Sequence, residues 1–171
     1  MRWISYFILA YLALGLQSGI SRAMDYHGSG PNFVLMAVVF IALNAPRDPA
    51  LLGGFILGAL QDLTSQGTMG LYSFSYGLVA MFVGSARQVA YREHPLTHFS
   101  LTLGGGLMTA LVLFVHGWLK KPHVSLMPLV YTAIYSAVLS VIVLGILQRM
   151  KSLFHFQSSR QGKWAGISGR P

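Results

Sequence analysis

Six apolar runs, at about residues 3–20, 31–45, 49–63, 69–86, 95–119 and 126–148, carry almost none of the chain's charge. Of the 12 Lys and Arg and the 4 Asp and Glu, only Asp62 falls inside a run. An α-helix rises about 1.5 Å per residue and a hydrocarbon core is about 30 Å thick, so the longer runs match a bilayer crossing. Composition agrees: 54% of residues are hydrophobic and 9% charged, against about a quarter charged in a soluble domain. The pattern predicts an all-α membrane protein with six transmembrane helices over residues 1–149. Residues 150–171 read as a basic tail rich in Gly, Ser and Gln that stays unfolded on the cytoplasmic side.

The same pattern excludes several function classes. With no cysteine there is no disulfide framework, thiol nucleophile or thiolate metal site. The net charge of +8 sits at run ends and in the tail. That distribution suits anionic headgroups and topology control better than nucleic acid. Ser21-Arg22-Ala23 loosely resembles a signal-peptide cleavage site. The first run is long for a signal's apolar region and five more follow, which favours a retained helix.

Several local signals fix where helices begin and end. Pro31 suits a first helical position. Asp48 suits an N-cap with Pro49 as the first residue of the third helix. That helix, over 49–63, is about 22 Å long, and Gly67 suits a left-handed residue that ends it. Gly54, Gly58 and Asp62 share one face at four-residue spacing. Gly15 and Gly19, and likewise Gly77, Ala80 and Gly84, form small-residue faces that suit close helix contact. Gly104-Gly105-Gly106 predicts a kink or a very close backbone approach in the fifth helix.

Basic residues set the expected orientation. With six spans and the N-terminus inside, the cytoplasmic side holds Arg2, Arg47, Arg87, Arg92, Arg149, Lys151, Arg160, Lys163 and Arg170. The other side holds Arg22, Lys120 and Lys121. The excess places both termini in the cytoplasm, with the turn after Asp62 on the outer side.

Asp62 is the first candidate for function, because an Asp at mid-bilayer costs about 2.5–3.5 kcal/mol. It sits beside Thr64, Ser65 and Gln66 at a helix end. That setting fits a structural polar hub or a partner contact; an ion or proton site and a solvated turn residue are the alternatives. His94 and His98 have a four-residue spacing that could bind metal. Interfacial side chains are the simpler reading of them. No Walker loop, nucleophile elbow or paired carboxylates occur, so neither catalysis nor a metal or other cofactor is expected.

Three segments together resemble the rod shape-determining protein MreD family. The first is Pro31-Asn32-Phe33-Val34-Leu35, closing at Pro46-Arg47. The second is the helix end Gly58-Ala59-Leu60-Gln61-Asp62-Leu63. The third is the turn Gly67-Thr68-Met69-Gly70-Leu71, followed by a helix carrying Tyr76. Asn32 departs from the family, which often has an acidic residue there. The resemblance implies a compact six-helix bundle similar to the substrate-binding subunit of energy-coupling-factor transporters. It also implies a bacterial inner-membrane scaffold of the elongation machinery, supporting rod shape and sidewall peptidoglycan synthesis. Its implied partners are a bitopic MreC-like protein, then MreB, RodA and a transpeptidase. Gly54, Gly58, Asp62, Gly67, Gly70 and Tyr76 are the expected partner-binding or structural hub. The competing function is a small-molecule-binding subunit of a vitamin transporter, with Tyr72, Tyr76 and Tyr131 lining a pocket.

Overall fold

The computed structural model describes residues 3–24, 29–65, 68–86, 95–120 and 125–149. Within them lie six α-helices and no strand. They are α1 (Trp3–Ala23), α2 (Phe33–Asn44), α3 (Arg47–Thr64), α4 (Leu71–Ala86), α5 (Pro95–Lys120) and α6 (Met127–Arg149). The expected basic tail, Arg87, Arg92, His94 and Gly67 lie outside the described residues.

Helix α2 is the centre. All twelve of its residues are buried, and it packs against each of the other five helices. Its sequence, Phe-Val-Leu-Met-Ala-Val-Val-Phe-Ile-Ala-Leu-Asn, is apolar on every side. A helix with no polar face has no side to give to water, so it goes to the middle. At about 18 Å it is too short to cross a bilayer upright. Around it the neighbours run α1 to α3, α3 to α4, α4 to α5 and α5 to α6. Between α1 and α6 lies an apolar groove of about 230 Å³. Phe33 and Ala37 of α2 form its floor; Leu12 and Leu16 of α1 and Ile146 and Leu147 of α6 form its walls.

Length and composition separate these helices in a way the six-run pattern does not. Only α5 and α6 are both long and apolar enough to cross a membrane by those two measures. Tyr6–Ile20, α2 and α4 are apolar but shorter.

Two expected helix starts are corrected. Helix α2 starts at Phe33, and Asn32 rather than Pro31 sets the boundary: its side-chain Oδ1 accepts from the Leu35 N–H at 2.9 Å. Helix α3 starts at Arg47, with Pro46 at the N-cap and no side-chain capping bond. Asp48 therefore lies in the first turn, near the positive end of the helix. Pro49 falls in the same turn, where a backbone N–H has no helical partner to lose. The C-cap of α3 is Ser65, whose N–H donates to Gln61 O; among the described residues Gly70, just before α4, has a left-handed φ of +94°.

Helix α5 runs unbroken for 26 residues through its three glycines. Two of them permit close approach. A Cβ on Gly105 would lie 2.8 Å from Val79 of α4, and one on Gly106 would lie 2.9 Å from the Ala133 Cβ of α6.

Candidate functional site: a polar hub joining α1, α2, α3, α4 and α6

The row Gly54, Gly58 and Asp62 faces α4. A Cβ on Gly54 would meet Tyr76 O at 2.8 Å and the Ala80 Cβ at 2.9 Å. A Cβ on Gly58 would collide with the backbone of Tyr72 and Ser73. Glycine at these two places lets the helix backbones touch. The contact carries Asp62, one turn further on, to the start of α4.

There the Asp62 carboxylate, 5% exposed, takes three backbone hydrogen bonds. Its Oδ2 accepts from Gly70 N–H and Ser73 N–H, each at 3.0 Å, and its Oδ1 accepts from Tyr72 N–H at 3.1 Å. The first N–H groups of a helix lack helical acceptors, and the positive end of the helix dipole favours an acidic oxygen there. Asp62 is thus a cap for α4 supplied by α3. Gly70 with its positive φ turns the chain so that its own N–H joins Tyr72 and Ser73 on the carboxylate. Ser73 Oγ donates to Phe55 O at 3.2 Å and adds a second tie between the helices.

A second cluster centres on Asn32, which the sequence reading marked only as a departure from its family. Asn32 Nδ2 donates to Tyr76 Oη at 2.8 Å, and Tyr76 O–H donates back to Asn32 Oδ1 at 3.1 Å. Asn32 N–H donates to Ser136 Oγ of α6 at 2.8 Å, and Phe33 N–H donates to Gln17 Oε1 of α1 at 2.7 Å. The N–H donors at the start of α2 that lack helical acceptors are therefore shared out to α6 and α1, while its side-chain cap binds α4. A Pro followed by Asn before an apolar run is an N-cap signal, and that signal was available. The distant partners Tyr76, Ser136 and Gln17 were not.

Tyr76 is fully buried between these clusters, its ring 5.7 Å from that of Tyr72. Tyr131 is 58% exposed on α6. The hydroxyl of Tyr76 both accepts from and donates to Asn32. Four buried side-chain atoms lack a partner among the described residues: Asn44 Oδ1, Gln61 Oε1, His98 Nδ1 and Thr102 Oγ1. No group of three or more His, Asp or Glu that could hold a metal occurs among those residues.

The hub residues thus spend their polar atoms on helix ends and on one another. Gly54, Gly58, Asp62, Gly70 and Tyr76 come together along the α3–α4 contact. No curated protein and no solved structure matches the chain. The family described as rod shape-determining protein MreD matches residues 1–154. That match spans all six helices and both polar clusters, and the chain belongs to the rod shape-determining protein MreD family.

Proposed function

We propose that the chain is a non-enzymatic scaffold of the bacterial elongation machinery, crossing the inner membrane six times with both termini in the cytoplasm. Its task in rod shape and sidewall peptidoglycan synthesis is to hold partner proteins. The closest partner is an MreC-like bitopic protein; MreB, RodA and a transpeptidase join through the same assembly. Gly54, Gly58, Asp62, Gly67, Gly70 and Tyr76 act as its structural hub, fixing α3 on α4 and α4 on α2. The small-residue row of α3 is covered by α4, so the partner's single helix docks elsewhere.

The observation that carries this reading is the seam in the ring around α2. The groove between α1 and α6 exposes Leu12 and Ile146, at 48% and 54%, above Phe33 and Ala37. Gly15 and Gly19 continue the Leu12 face of α1 with nothing within 4 Å of a Cβ, leaving room for a backbone to come close. An apolar helix of about 10 Å diameter placed there would cover the side of α2 that the chain leaves thinnest.

The absence of cysteine makes the test direct. Single cysteines at Leu12, Ile146 and, as a control on α5, Leu111 are paired with cysteines along the partner's transmembrane helix in cells. Disulfide cross-links from Leu12 and Ile146 but not Leu111 are expected. Cross-links confined to Leu111, or none from the groove while the two proteins still co-purify, would overturn the docking assignment.

A further inference from the structure

At the end of α5, two basic side chains converge on one hydroxyl. Lys120 Nζ donates to Thr68 Oγ1 at 2.9 Å, and His116 Nε2 lies 3.2 Å from the same oxygen. His116 and Lys120 are four residues apart and share a helix face. Thr68 belongs to the turn that the Asp62 carboxylate closes through Gly70. The trio sits on the surface: Thr68 and Lys120 are exposed and His116 half-buried.

The trio has hydrogen-bond donors left over. An ammonium has three N–H donors, and among the described residues Thr68 takes one of them. If the His116 hydrogen is on Nε2, it points at Thr68 and frees the threonine hydroxyl to donate. If it is on Nδ1, the threonine donates to Nε2 and the ring N–H is free. Either way the trio offers a neutral donor beside a cation.

No described carboxylate answers that cation. Of the two, Asp48 lies at the opposite end of α3, and both oxygens of Asp62 are occupied by backbone N–H groups. On another side of the same end of α5, Trp118 is 57% exposed, and an exposed indole at the end of a long apolar helix suits the headgroup level of a bilayer.

We propose that Thr68, His116 and Lys120 form a binding site for the phosphate of an anionic lipid headgroup at the outer face of the membrane. The proposal rests on the membrane-spanning reading above. Lys120 supplies the charge, and Thr68 and His116 supply the directed hydrogen bond. A bound lipid would pin the α3–α4 turn to α5 from outside.

The test uses the full chain in nanodiscs of phosphatidylcholine, with or without phosphatidylglycerol, and native mass spectrometry of the lipid retained. Phosphatidylglycerol should be retained over phosphatidylcholine by the unaltered protein. Lys120→Gln should reduce that preference about fivefold, in line with the effect of one Lys or Arg near an anionic surface, and His116→Phe should reduce it further. Arg47→Gln, at the opposite end of the bundle, should leave it unchanged. An equal loss in Arg47→Gln means general charge attraction and overturns the site. A second arm adds inorganic phosphate to phosphatidylcholine nanodiscs and follows the His116 ring nitrogens by NMR. A response to free phosphate with none to phosphatidylglycerol overturns the lipid assignment. A chain that enters nanodiscs normally but shows no lipid preference sinks this site alone; one that does not enter them sinks the membrane reading with it.

Discussion

Asp62 occupies a position where an acidic side chain is normally costly, yet its surroundings provide for it. Both oxygens are filled by N–H groups that α4 cannot satisfy within itself. The arrangement predicts a ranking of substitutions. Asp62→Ala leaves three donors without their acceptor, at a cost of about 1–3 kcal/mol for a buried group. Asp62→Asn keeps one acceptor oxygen, which can take the Oδ2 place and its two N–H groups, but its NH2 then faces the Tyr72 N–H where Oδ1 now accepts. The asparagine variant should therefore be destabilised despite its near-identical shape, though less than the alanine variant. Thermal unfolding in detergent measures both; an asparagine variant with unaltered stability would contradict the cap. Asn32 makes the complementary case. An amide can donate to Tyr76 and accept from it at once, which a carboxylate in the same place would not do.

The helices show which features were legible before folding and which were not. Their number and approximate extent follow from where charge is excluded, because the segments between them must carry the polar atoms. The Gly54–Gly58–Asp62 face was legible from its spacing, but not the surface it meets. Spacing shows that a face is smooth without showing whether its cover comes from the same chain. Helix α2 was the hardest to place. Its apolar perimeter reads as a lipid-facing span, whereas its shortness and burial make it the core around which longer helices are arranged. Helix starts moved where a prolines-and-acids reading met a better cap, as at Asn32, or none, as at Pro46.

Close packing of these helices predicts a graded response to added methyl groups. Gly58→Ala should disrupt α3–α4 contact most, because the new Cβ meets backbone. Gly106→Ala should cost less, since the obstruction is the Ala133 methyl at 2.9 Å with its Cα behind it at 3.1 Å. Gly104→Ala meets only the Phe82 ring edge at 3.4 Å and should be neutral or stabilising, with about 1 kcal/mol of helix propensity in its favour. Detergent melting temperatures of the three variants give the order; equal effects at all three positions would refute it.

Among the described residues, a short apolar helix is enclosed by five others, with a seam between α1 and α6. The family assignment gives that shape its setting in cell-shape determination. The membrane reading draws on the apolar runs and the distribution of Lys and Arg, and α5 and α6 supply two helices long enough to cross. The glycine row is already used to hold the chain together, which is why the proposed partner contact is placed at the seam.

The enclosure of α2 also has a consequence in time. Asn32 is made early, but Ser136, which receives its N–H, lies 104 residues later. At roughly 5–20 residues per second, the ribosome needs about 5–20 s to deliver it. Over that interval the Asn32 N–H has no native acceptor, although Phe33 N–H can already bond Gln17 of α1. An unfinished chain of this kind should stay beside an insertase or membrane chaperone until α6 emerges. Photo-cross-linking from position 32 in stalled nascent chains tests this: contact with the insertion machinery should persist in chains ending before Ser136 and fall once α6 is complete. Release that precedes synthesis of α6 would contradict it. The second helix to be made is then among the last to complete its surroundings, because its final acceptor arrives with the last helix.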